Sequence, residues 1–193
     1  MTQCTTKKEL FQPVKSRKID VAFDGGCVTS DAGVLLLRQV DKQLDLTRRV
    51  AQMIPDKRRQ KSVIHKIQTM IQQRVYGLCL GYEDLNDHDT LKTDMAHQTA
   101  MDTDQPLANS PTLCRFESSI TRDIAMRIND LLIDIFIESH RYPPELLVLD
   151  FDATDDPLHG HQEGRFFHGY YDCYCYLPLY VFCGQHGIAA EPR

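Results

Sequence analysis

The sequence predicts an α+β protein, with a mainly helical region over residues 1–142 followed by the first strands of a β-containing domain over 143–193. Apolar residues between Val34 and Phe136 recur at helical spacing. Pro143-Pro144 then interrupts the chain. After it, Leu146-Leu147-Val148-Leu149 opens a run of strand-like composition.

Residues 1–20 are polar and contain Lys7, Lys8, Lys15, Arg17 and Lys18, which describes a mobile basic arm. Alternation from Ile19 to Phe23 ends that arm in a short strand, which Gly25-Gly26 turns. Ser30-Asp31 is placed to cap a helix that begins with the run Val34 to Leu37 and reaches roughly Lys42. Leu44, Leu46, Val50 and Ile54 suggest a second short helix, stopped by Pro55. A basic loop, Pro55 to Ser62, leads into a strong helical pattern through Val63, Ile67, Met70, Ile71, Val75 and Leu78. Residues 83–109 are acidic and short-period, which fits small helices and turns. Ser110-Pro111 reads as a cap and first-turn proline for a helix over Leu113–Ser118. Ile120, Ile124, Ile128, Leu131, Leu132, Ile135 and Phe136 mark the longest amphipathic helix, ending near Arg141. Beyond the proline pair, strands are expected over Leu146–Asp152, Phe166 to about Tyr171, and Tyr176–Cys183.

Composition excludes several classes. Among 193 residues, 42% are hydrophobic and 25% charged, as in ordinary globular proteins. No apolar run approaches the roughly 18 residues needed to span a bilayer, and the N-terminus has no apolar secretory core, so a cytoplasmic protein without a membrane partner is expected. The seven cysteines form no CxxC pair and are read as reduced thiols. Net charge is −5, but it is unevenly placed: residues 1–82 carry 15 Lys/Arg against 7 Asp/Glu, and residues 83–193 carry 7 against 20. A basic half joined to an acidic half suits nucleic-acid binding next to cation binding.

The chemistry-bearing segment is Leu146 to Asp156. Alternate residues of a strand share a face, so Asp150 and Asp152 point one way while Leu149 and Phe151 point the other. A strand apolar on both faces belongs in a covered sheet, where a carboxylate must be paired or coordinated. Mg²⁺ or Mn²⁺ suits such oxygens. Asp152 to Pro157 is equally good turn chemistry, and on spacing alone that plainer role is the stronger one. His159, His161 and Glu163 share a face of an extended stretch and could hold Zn²⁺ or Mn²⁺, although their glycine neighbours favour an exposed hairpin. Tyr170, Tyr171, Tyr174, Tyr176 and Tyr180 could stack bases, but tyrosines in sheets more commonly only turn their hydroxyls to solvent. Lys57, Arg58, Arg59 and Lys61, with Lys66 and Arg74 beyond them, are the best phosphate contacts; a merely solvated charged face fits them equally well.

An ordered series of stretches resembles one family, the DDE transposases of the insertion sequence 1380 group. The matching stretches are Phe23-Asp24-Gly25-Gly26, Thr29 to Gly33, Ile54 to Arg59, Gly81 to Asp87, Ser110 to Glu117, Leu149 to Asp156, His159-Gly160 and His168 to Tyr171. The resemblance implies a ribonuclease-H-like α/β catalytic domain beginning near Glu145 and an N-terminal helical region that recognises terminal inverted repeats of the transposon. It implies three carboxylates holding two divalent ions, with Asp152 matching the first carboxylate and Asp150 the fallback. The family's second aspartate, in an arginine-x-aspartate-serine-like context, and its distal glutamate have no match in the 193 residues. Gly187 to Arg193 also drift from the expected third strand, as a frameshift or premature stop would produce. The resulting expectation is a truncated transposase, inactive alone and binding no Mg²⁺ or Mn²⁺ tightly. Its partners would be terminal-repeat DNA and copies of itself or intact transposase subunits. The alternative is a non-catalytic fragment that occupies transposon ends or interferes with an intact enzyme.

Overall fold

The structure is a computed structural model describing residues 9–14, 17–21, 28–158, 160–161 and 164–191. Its mixture of helices and small antiparallel sheets is that of an α+β protein. A two-stranded antiparallel hairpin, β1 (Glu9–Val14) and β2 (Arg17–Val21), comes first. Much of the stretch expected to be a mobile arm is therefore paired backbone. Its register shifts between Phe11 and Val14, where Pro13 lacks a ladder donor. Lys7, Lys8, Lys15 and the Gly25-Gly26 turn lie outside the described residues.

Seven helices follow among the described residues: α1 (Val34–Leu44), α2 (Leu46–Met53), α3 (Ile67–Cys79), α4 (His88–Leu91), α5 (Met95–Ala100), α6 (Ser110–Glu117) and α7 (Arg122–Glu138). The centre is α3, which supplies buried residues to all three apolar clusters. Tyr76 packs with Val34, Ala96, Ala100, Met101 and Leu107. Ile71 joins Val50, Ile54, Ile124 and Leu131, and Met70 meets Ala108 and Leu113. A helix buried on several sides has only a weak amphipathic pattern, and Gln73 within it is fully buried. Gln73 is satisfied by the backbone of Ala108, donating to its carbonyl at 2.8 Å and accepting from its amide at 3.1 Å. Between α2 and α7, Arg49 makes a two-bond contact to Glu138 at 2.7 and 3.0 Å.

The helix starts correct three sequence expectations. Asp31 does not cap α1: Gly33 holds that position, and the Asp31 carboxylate accepts the Tyr82 hydroxyl at 3.0 and 3.1 Å. For α6 the cap is Asn109, whose side chain accepts the Thr112 amide, so Ser110 lies inside the helix. The third helix begins at Ile67 rather than Val63, because Gln60–Ser62 form a 3₁₀ turn that delays it.

After Pro143-Pro144 come two small antiparallel sheets. One has the order β3 (Asp150–Ala153), β7 (Leu179–Cys183), β8 (His186–Glu191). The other has the order β4 (Asp156–Pro157), β6 (Cys173–Tyr176), β5 (Phe166–His168), and lies in the chain between β3 and β7. The strand expected from Phe166 to Tyr171 ends at His168, because the chain turns there and Asp172 takes a left-handed conformation, φ 53°. The single strand expected over Tyr176–Cys183 is instead split after Tyr176, with Pro178 in the gap. Residues 187–191, expected to drift, pair with β7 as part of β8. The sheet rests on the helices through β8: Asn129 of α7 accepts the Ala190 amide at 2.8 Å, and Phe136 meets the His186 ring edge-on.

Candidate functional site

The strand β3 begins at Asp150, not at Leu146. No strand lies beside residues 146–149 among the described residues, so their backbone is not in a ladder. Leu146 is 77% exposed and Phe151 62%, which overturns the expectation of a sheet covered on both faces. The alternation itself is present. Asp150 stands opposite Phe182 and Asp152 opposite Tyr180, so both carboxylates share a face with two aromatic rings of β7. Phe151 and its partner Val181 take the other face. All four residues of β3 are exposed, and the Thr154 hydroxyl donates to Asp152 at 3.3 Å.

Two carboxylates and one hydroxyl do not complete the oxygen shell of a pair of hard cations, each of which takes six or so ligands. Among the described residues, no group of three or more His, Cys, Asp or Glu side chains is placed to hold a metal ion. Of the histidine-glutamate stretch, His159 and Glu163 lie outside the described residues. His161 Nδ1 accepts from Arg165 at 2.7 Å, since a guanidinium only donates, and that nitrogen is thereby occupied.

The aromatic stretch is partly a surface. Phe167 and Tyr174 are cross-strand neighbours with rings 5.5 Å apart, Arg165 lies over Tyr174, and Tyr170 is 85% exposed. Residues 143–193 carry 8 Asp/Glu against 2 Lys/Arg, a balance that repels a nucleic-acid backbone. Tyr180 faces Asp152 instead.

The four basic-loop candidates fall into two groups. Arg58 is a brace: it binds Asp56 through Nε and Nη2 at 2.7 and 2.8 Å, and its Nη1 donates to the His65 carbonyl at 3.0 Å. The paired guanidinium holds the Asp56 carboxyl well below its usual range, and Asp56 raises Arg58 in turn. Lys57, Arg59 and Lys61 are exposed and have no carboxylate partner among the described residues. Lys66 is exposed in the same way. Arg74, grouped with them by sequence, is internal. Its side chain is 14% exposed and donates to Glu117, to His88 and to the Glu83 carbonyl.

Sequence reasoning missed the opposite wall of this region. A cleft of about 530 Å³ runs beside the loop, bounded by Arg59, Val63, Ile64, Lys92, Leu107 and Asn109. On the other side of the Arg58 brace a second cleft of about 390 Å³ reaches Lys57, Ile67, Phe116 and the exposed Arg115. Arg115 and Lys92 join the loop cations only through the fold, being 26 or more residues away in sequence. Two buried histidines were also missed. His88 accepts from Arg74 at 3.0 Å, and burial with that guanidinium lowers it to about 4. His97 is fully buried, 3.4 Å from Asp31.

No helix among the described residues is long and apolar enough to cross a membrane. No curated protein matches the chain, and no solved structure does. The family described as transposase DDE domain group 1 matches residues 11–193.

Proposed function

Because the chain belongs to the family of group 1 transposase DDE domains, we propose that it acts on transposon DNA, with the basic loop as its contact and Asp152 as one catalytic carboxylate. Lys57, Arg59 and Lys61 contact phosphates, and Arg58 shapes the loop that presents them. Asp152 is the first carboxylate of the DDE set and Asp150 its alternate, since both lie on one face of β3. The DNA is the transposon's terminal inverted repeat, and the protein works in the cytoplasm. Residues 1–142 serve as the DNA-binding and accessory region, and 143–193 as the beginning of a ribonuclease-H-like catalytic domain. The antiparallel order β3-β7-β8 supports that assignment by placing the carboxylate strand against the middle one. Divalent metal, Mg²⁺ or Mn²⁺, supplies the activation of the attacking oxygen in such enzymes. Residues 1–193 by themselves bind the DNA without cutting or joining it. The observation carrying the proposal is that Lys57, Arg59 and Lys61 are exposed on the basic loop while Asp150 and Asp152 share one face of β3. The edge of β3, unpaired among the described residues, supports a further role, pairing with an intact subunit and thereby interfering with it.

The test is a gel assay with labelled terminal-repeat duplex, with and without Mg²⁺. A retarded band without cleaved or joined product is expected. Strand transfer that vanishes in Asp152→Asn would overturn the claim of inactivity while confirming Asp152. No retardation at low salt would remove DNA binding from the chain.

A further inference from the structure

Ile64 is 86% exposed within a strongly basic segment, residues 55–66. Leaving an isoleucine in water forgoes about 1.5–3 kcal/mol of burial. Its neighbours Val63 and His65 are both partly buried. The loop is also held in shape. Arg58 ties Asp56 to the His65 carbonyl, and the 3₁₀ turn adds bonds from the Ser62 amide to Arg59 and from the Val63 amide to Gln60. Ile64 is thus held outward by a braced loop.

Its surroundings select the occupant. Residues 55–66 hold five Lys/Arg and one acid, Asp56, which is already paired with Arg58. Around Ile64 stand Arg59 and Lys92 of the adjoining cleft, with Lys61 and Lys66 near in sequence. A protein partner would need dense carboxylates around an apolar contact. Duplex DNA supplies negative charge on both sides of an apolar stack of bases, and proteins that bend DNA insert isolated apolar side chains between base steps. We propose that Ile64 is an apolar wedge, inserted into the base stack of the duplex that the loop cations hold. This rests on the DNA-binding reading given above. The cations fix the protein on the backbone, and Ile64 unstacks one step and kinks the duplex there.

Unstacking costs a few kcal/mol per step, so a wedge favours DNA in which that cost is already lowered. The experiment uses the full chain and two fluorescein-labelled duplexes of one sequence, one fully paired and one with a central T·T mismatch, followed by anisotropy. The wild type should prefer the mismatched duplex by about tenfold, equivalent to roughly 1.4 kcal/mol. Ile64→Ala should bind both equally, with the salt dependence unchanged, and Ile64→Leu should restore the preference. Binding without discrimination by the wild type, or discrimination that survives in Ile64→Ala, overturns the wedge and leaves DNA binding intact. Binding of neither duplex overturns both readings. A self-association in sedimentation that Ile64→Ala abolishes would assign the side chain to a contact between copies and overturn the wedge.

Discussion

Gly77 lacks a side chain because His88 leaves no room for one. A Cβ there would stand 2.8 Å from His88 Cε1, and the imidazole cannot retreat, being fully buried and bound by Arg74 at 3.0 Å. Gly77→Ala should cost about 1–3 kcal/mol, as overpacking does, despite the better helix propensity of alanine. A urea midpoint equal to wild type would refute this. His88 itself makes stability depend on pH. Burial, then the Arg74 charge, lower it from 6.5 to about 4, so the unfolded chain binds a proton in that window that the folded chain refuses. This contribution is complete above pH 6.5 and declines as pH falls toward 4, by at most about 1.4 kcal/mol per unit. Chemical denaturation should show a lower midpoint at pH 5 than at pH 7, with the difference reduced in His88→Asn. A flat profile between those values would show that His88 stays neutral in neither state or in both.

At the scale of elements, the joint between helices and sheet depends on few polar contacts. Asn129 of α7 accepts the Ala190 amide of β8 at 2.8 Å. Asn129→Ala should remove about 1 kcal/mol and speed amide exchange at Ala190 selectively. Unchanged exchange there would mean that β7 alone holds β8. The helices were legible in the sequence because their apolar residues repeat at helical spacing, as Ile124, Ile128, Leu131 and Ile135 do in α7. Their starts were less legible, since an N-cap depends on what else competes for the side chain. Asp31 has Tyr82, 51 residues away, as its partner. The strands were harder still. β4 is two residues long and β6 four, and nothing local marks them apart from the pairing of Asp156 with Tyr176. Asp150 and Asp152 were placed on a common face because alternation is a local property of strands, whereas their exposure depends on neighbours that sequence spacing does not give. Arg74 shows the same limit: its charge is readable, but its pairing with Glu117, 43 residues away, is tertiary.

At the scale of the whole molecule, charge is divided between the two parts of the sequence. If the protein binds DNA as proposed, the excess of 8 positive charges over residues 1–82 and of 13 negative charges over 83–193 favours contact through the basic loop and disfavours it at the aromatic strands. Each phosphate neutralised contributes about −0.9 to the slope of log affinity against log salt on duplex DNA. Removing Lys57, Arg59 and Lys61 together should therefore flatten that slope by roughly 2–3 and weaken binding to all sequences alike. An unchanged slope would move the contact elsewhere, with Lys66, Lys92 and Arg115 as the next cations to test.

The unladdered run Leu146 to Leu149 bears on how long the protein lasts in a cell. Four consecutive apolar residues, from 44% to 77% exposed and without a proline or charge among them, form the kind of segment that chaperones and quality-control proteases engage. While this stretch stays uncovered the protein should be cleared quickly, and Leu146→Ser combined with Val148→Ser should lengthen its half-life in a pulse-chase. Abundance would then follow the exposure of this stretch rather than the rate of synthesis.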